Sequence, residues 1–209
     1  MAKIIFAHPL PSAFYLAFSG GPDSSVLLHL TLARRRTVTL VHSAYLETEW
    51  GVTEREYAET VAKDLGLKLV KHDITTLPNK TSLEAHWSRE RKTLFESLDM
   101  PVLTGHQLDD AVEWYIMSTM KGRPEIIPVV SGNVIRPLLL TSKERILEYT
   151  ERHSVNYIID PYTEGTATGL RVQMRSKLMP AFHEVFPGAR TTVAKLIKSS
   201  RYCIADETF

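Results

Sequence analysis

A single cysteine, Cys203, stands among the 209 residues of the chain. That scarcity excludes an intrachain disulfide, a Cys-x-x-Cys metal knuckle and a paired-thiol redox cycle, and it suits a reducing cytoplasm best. No run approaches the ~20 consecutive apolar residues of a membrane helix. Residues 1–18 carry Lys3 and a mixed stretch broken by His8, Pro9 and Pro11, so no secretory leader is expected. Repeats, heptads and low-complexity tracts are missing too. Net charge is almost absent: 25 Lys and Arg face 24 Asp and Glu, a formal +1. Such a balance gives no general affinity for nucleic acid or a membrane surface. Hydrophobic residues make up 44%, enough for a packed core and too many for a disordered chain.

Short apolar runs alternate with longer amphipathic ones. Strands are expected at Phe14–Phe18, Thr37–Val41, Lys68–Ile74 and Pro101–Thr104, with a fifth over Asn133–Leu138. Helices are expected over Val26–Arg35, 53–65, 81–98, Leu108–Met120 and 141–153. Three of these open on a capping-box pattern: Thr53 with Glu56, Thr81 with Glu84, and Thr141 with Glu144. The alternation predicts an α/β fold, a parallel five-stranded sheet with helices on both faces. Residues 1–158 would form this domain. Residues 159–209 would add a polar, turn-rich loop at 160–169 and a small helical appendage. Between Arg171 and Arg201 stand seven basic residues (Arg171, Arg175, Lys177, Arg190, Lys195, Lys198, Arg201) and one acid, Glu184. An anionic partner and a solvated helix face account for that asymmetry equally well.

Two stretches carry chemistry. Ser19-Gly20-Gly21-Pro22-Asp23-Ser24-Ser25 follows a strand and opens a helix. Glycines there allow close backbone approach, and a helix start offers free amides and partial positive charge to an anion. The loop lacks the Lys-Ser/Thr of a Walker A sequence and the spacing of a dinucleotide fingerprint. The second stretch, Thr104-Gly105-His106-Gln107-Leu108-Asp109-Asp110-Ala111-Val112-Glu113, follows the fourth strand. Its acids read either as dipole optimisation of a helix start or as a Mg²⁺ platform, since Mg²⁺ takes one or two carboxylates plus phosphate oxygens and water.

The first stretch resembles the Ser-Gly-Gly-x-Asp-Ser loop of the N-type ATP pyrophosphatases, or PP-loop superfamily. The second is similar to the Thr-Gly-His-x-x-Asp-Asp-x-x-Glu-Thr signature of tRNA(Ile)-lysidine synthetases, with Trp114 in place of the Thr. Leu83-Glu84-Ala85 with Arg91, Val41-His42, Arg136-Pro137-Leu138-Leu139, Asp160-Pro161, Arg171-x-x-x-Arg175 and Pro180 resemble further segments of that family. Departures fall at Tyr45, Ser88, Lys92, Tyr162, Thr163 and Val172. The resemblance covers roughly residues 14–190, and many lysidine synthetases continue into further tRNA-binding domains.

What the resemblance implies is a Rossmann-like, adenine nucleotide alpha hydrolase type of fold, ATP and Mg²⁺ as cofactors, and tRNA with a free amine such as lysine as substrates. The base carbonyl would be adenylated with release of pyrophosphate, and the amine would displace AMP. Ser19, Gly20, Gly21, Pro22, Asp23, Ser24, Ser25 and His42 would hold ATP. Asp23, Asp109 and Asp110 would contact the metal. Asp23, Asp110, Glu113, His106 and Arg91 would carry the chemistry, and Arg136, Arg171, Arg175 and Lys121 would meet substrate or RNA. Trp87 and Trp114 read first as core residues and second as stacking platforms. A small carbonyl or carboxyl acceptor, or a non-catalytic nucleotide-binding module, are the alternatives. A homodimer is compatible with so short a chain, and no membrane partner is expected.

Overall fold

The computed structural model describes residues 3–75, 83–161, 170–200, 203–204 and 206–207. Thr81, Tyr162, Thr163, the 162–169 part of the expected loop and Arg201 lie outside the described residues. In chain order the first half runs β1 (Ile5–Phe6), β2 (Ala13–Ala17), α1 (Pro22–Ala33), β3 (Thr37–Ala44), α2 (Glu49–Asp64), β4 (Lys68–Asp73) and α3 (Leu83–Ser97). There follow β5 (Val102–Leu103), α4 (Leu108–Met120), β6 (Val130–Ser131), β7 (Val134–Ile135), a 3-10 turn (Pro137–Leu140) and α5 (Lys143–His153). The chain then forms α6 (Leu170–Gln173), a π turn (Met174–Leu178), α7 (Met179–Val185), α8 (Ala189–Lys198) and β8 (Asp206–Glu207).

The main sheet has six strands, not five, in the order β4-β3-β2-β5-β7-β6. All neighbours are parallel except the terminal pair, where β6 turns back antiparallel onto β7. The extra strand comes from a tight hairpin at Gly132, and the expected fifth strand ends early because Pro137 opens the 3-10 turn. A separate antiparallel pair joins β1 to β8.

Period-two burial explains how the layers meet. In β2, Phe14 and Leu16 are fully buried against α1, α2 and α5, while Tyr15 and Ala17 face the side covered by α3. Burying such a side chain contributes about 1.5–3 kcal/mol. The helices after residue 170 share a third cluster with α4, in which Val112, Met174, Met179, Val193 and Ile197 are all buried. That part of the chain is therefore built onto the main body.

Three helix starts differ from the sequence pattern. Helix α2 begins at Glu49 with Thr48 as its cap, because Thr48 Oγ1 accepts from Gly51 N at 3.1 Å. Helix α5 is capped by Ser142, since the Thr141 hydroxyl is already spent on both backbone groups of Ile5 at 2.9 Å. Helix α1 starts at Pro22, earlier than expected, so Asp23, Ser24 and Ser25 stand in its first turn. Among the described residues no helix is long and apolar enough to cross a membrane.

From β2 the chain moves outward through β3 to β4, and from β5 it moves the opposite way to β7. Neighbouring strands whose connections diverge leave a crevice at their carboxyl ends, where ligands of open α/β sheets bind. The glycine loop follows β2 and the Thr104–Glu113 stretch follows β5.

Candidate active site

The glycine loop is braced by its own hydroxyls. Ser25 Oγ donates to Gly20 O at 3.2 Å, Ser24 Oγ donates to Gly21 O at 3.1 Å, and Ser19 Oγ lies 3.3 Å from Ser24 Oγ. Gly20 has φ +77°, and a Cβ there would lie 2.7 Å from Tyr57 Cδ1. Gly21 is the N-cap of α1 and brings no side chain to cap it, so the first-turn amides keep the anion-binding character of a helix start. Gly105 closes the crevice from the other side. A Cβ on it would stand 3.0 Å from Ser24 N and 3.1 Å from Asp23 C, so a larger residue would push the two stretches apart by a few tenths of an ångström.

Three acids line this meeting point, and each is matched by a cation. Lys143 Nζ sits 2.8 Å from both oxygens of Asp23. Arg175 bridges two acids: Nη2 reaches Asp110 Oδ1 at 2.6 Å and Nε reaches Glu113 Oε2 at 2.8 Å. Arg171 Nε stands 3.5 Å from Glu113 Oε1. The π turn carries Arg175, a local widening that often marks functional positions in helices. Burial pushes the Asp23 carboxyl above the usual range against the pull of Lys143, and the nearby Asp110 charge adds to the rise. Burial likewise raises Glu113, with both arginines opposing.

Asp109 is not part of this set. Its Oδ2 accepts Lys143 N at 2.8 Å, and its Oδ1 accepts Arg190 Nε at 2.7 Å, with His183 Nε2 at 3.5 Å. Both oxygens are committed to protein donors that tie α4 to α5, α7 and α8. Asp110 Oδ2 accepts Gln107 N at 2.9 Å in the capping box of α4, while its Oδ1 meets Arg175.

His106 packs its Nδ1 2.8 Å from Thr104 Oγ1, and burial pulls its pKa down to about 4 although Asp110 opposes, so the ring is neutral. Arg91 lies near enough for its charge to act on His106 and on Glu54. His42 is buried beneath the loop. Its Nδ1 donates to Phe18 O at 2.7 Å, which leaves Nε2 as a buried acceptor without a partner among the described residues. An adenine amine is the kind of donor that would satisfy it.

Of the other expected residues, Lys121 lies away from this point, whereas Arg136 is near enough for its charge to act on His106. Lys121 is at the far end of α4, about 16 Å along the axis from Asp110 at 1.5 Å per residue. Arg136 is half-buried and donates from Nη1 to Pro128 O at 2.8 Å; burial lowers it to about 10. Trp114, read first as core, is 37% exposed, while Trp87 leans on Tyr45 with centroids 6.0 Å apart.

Three participants escape sequence reasoning. Arg190 sits in a surface-looking charge run. Glu54 meets Asp160 from more than a hundred residues away, and burial and that neighbour raise it to about 7. Lys143 did leave a signal: a cation at the first position of a helix opposes the dipole.

Comparison with known proteins fits this geometry. The family profile of the PP-loop domain matches residues 2–182. The tRNA(Ile)-lysidine synthase of Francisella tularensis subsp. novicida is 26% identical over 204 residues, covering 88% of this chain and 50% of that protein. That of Lactiplantibacillus plantarum is 30% identical over 190 residues, covering 82% and 42%. The chain thus spans about half the length of these relatives. Among solved structures, the U34-tRNA thiolase NcsA of Methanococcus maripaludis, determined with its 4Fe-4S cluster, superposes with a TM-score of 0.68 at 15% identity, covering 90% of this chain and 73% of that one. That likeness shows a shared fold. With the glycine loop and the acidic helix start joined at one switch point, and a profile match over most of its length, the chain belongs to the PP-loop domain family.

Proposed function

We propose that the chain is an ATP-dependent tRNA-modifying ligase, which adenylates a base carbonyl and joins an amine such as lysine to it. The observation that carries the reading is the contact between Gly105 and the Asp23–Ser24 backbone, which sets a phosphate-binding helix start beside the acids of α4. The names of its relatives support RNA as the acceptor. Having only Cys203, the chain does not suit thiolation chemistry built on several cysteines.

Asp23 and Asp110 fit a magnesium ion that arrives with a triphosphate. Both offer hard oxygen donors, and the Asp110 charge is near enough to raise Asp23. Among the described residues no three acids or histidines converge tightly enough to hold a metal unaided, in keeping with an ion that shares its shell with phosphate and water. When bound, Mg²⁺ supplies charge that offsets departing pyrophosphate.

The first-turn amides of α1 would hold the β- and γ-phosphates, and the unpartnered Nε2 of His42 would accept from the adenine. The base oxygen attacks the α-phosphorus, the α–β bridging bond breaks, and its electrons leave on pyrophosphate. Arg91 and Arg171 are suited to the charge on the α-phosphate. Glu113 would then hold the incoming ammonium and take its proton, a role that a buried, raised carboxylate fits. The freed amine attacks the carbon bearing the adenylate, and that C–O bond breaks with its electrons on AMP. Neutral His106 would orient the base.

The test supplies ATP, magnesium, unmodified tRNA and radiolabelled lysine. Label in the tRNA, with a nucleoside heavier by lysine less water, is the expected result. AMP and pyrophosphate formed equally well without tRNA would instead support a small-molecule acceptor.

A further inference from the structure

We infer that Lys143 is a phosphate-binding residue of the nucleotide site, held on Asp23 until the outer phosphates of a nucleoside triphosphate draw it away. This rests on the nucleotide reading of the glycine loop. The geometry gives three reasons.

Asp23 stands in the first turn of a helix whose amides face an anion site, so its carboxylate repels the phosphates those amides attract. Lys143 cancels that repulsion in the free chain, with Nζ 2.8 Å from each carboxylate oxygen. A charge already at the loop needs little travel to reach phosphates held there.

Position matters as well. Lys143 is the first residue of α5, where a cation works against the helix dipole. The backbone beneath it is fixed independently, because Lys143 N donates to Asp109 Oδ2 and Asp109 is itself clamped by Arg190. The anchor therefore stays in place while the flexible four-carbon stem swings. The side chain is 36% exposed, so it is not locked in place by packing on every side.

Finally, the exchange keeps charge matched. A cation that accompanies the triphosphate takes over Asp23 and frees Nζ for a phosphate oxygen. A lysine that only neutralised Asp23 would have no further partner in that state.

The test measures binding of α,β-methylene-ATP by titration calorimetry in the presence of magnesium. It uses the wild-type chain, Lys143→Met, Lys143→Arg, Asp23→Asn and the double variant Asp23→Asn/Lys143→Met, each shown by circular dichroism to be folded. Loss of Lys143 is expected to weaken binding at least tenfold both in the wild-type background and in Asp23→Asn, with Lys143→Arg recovering most of it. Equal affinity of Asp23→Asn and the double variant would overturn the inference, since Lys143 would then act solely by neutralising Asp23. Wild-type binding unchanged in Lys143→Met overturns it as well and leaves the nucleotide reading intact. A wild-type chain that binds no analogue overturns both.

Discussion

Arg175 Nε lies 2.8 Å from Oε2 of Glu113, a carboxylate whose side chain is only 4% exposed. The same guanidinium reaches Asp110, so one arginine from the C-terminal helices holds two acids of α4. Removing one member of a buried pair leaves the other charged and unmatched, which costs more than the pair itself contributes. Arg175→Ala is expected to lower stability by about 2 kcal/mol, allowing for the half-exposed arginine. Chemical denaturation measures it. Glu113→Gln should recover part of the loss in the double variant, and a purely additive pair would refute the coupling.

The glycine contacts make a separate prediction. Gly20→Ala forces a side chain onto φ +77° and against Tyr57, at an expected cost of about 1–2 kcal/mol in thermal or urea unfolding. Gly105→Ala should leave the fold intact but push the loop from α4, weakening ATP binding about tenfold by calorimetry. Unaltered affinity would show that the loop tolerates the shift.

Two buried groups give pH dependences of opposite sign. Glu54, raised to about 7, holds its proton in the folded chain over a range where the unfolded chain has lost it. Its contribution therefore falls as pH rises from about 4.5 to about 7. His106, lowered to about 4, binds fewer protons folded than unfolded, so its contribution falls as pH drops from 6.5 towards 4. The slopes oppose each other in the wild-type chain. In Glu54→Gln the thermal midpoint should climb with pH between 4.5 and 6.5 more steeply than in wild type, and in His106→Asn it should decline. Parallel curves for all three proteins would contradict both assignments.

RNA contact is expected from the lysines that keep their charge at the surface. Arg171, Arg175 and Arg190 turn towards α4 acids, whereas Lys177, Lys195 and Lys198 remain exposed. Replacing Lys195 and Lys198 by Gln should weaken tRNA binding and reduce the salt slope of the logarithmic affinity by about two. An unchanged slope in filter binding would remove these residues from the interface.

Much of this was legible in the sequence, and the failures share a cause. The glycine loop and the acidic helix start were readable because each lies within ten residues and obeys local backbone rules. Thr53 and Thr141 satisfied the same kind of rule and failed, because a hydroxyl pattern does not reveal competing partners such as Ile5 for Thr141. Asp109 looked like Asp110 in sequence. What separates them is Arg190 and His183, both more than seventy residues away. The seven basic residues read as one patch for the same reason: a charge count does not see which cations turn inward.

The most direct test of the account follows labelled ATP through one reaction with the chain, magnesium and tRNA. AMP and pyrophosphate are expected in equal amounts, formed only when tRNA is present and lost in Asp23→Asn and Asp110→Asn. ADP with orthophosphate, or turnover undiminished in both variants, would contradict it.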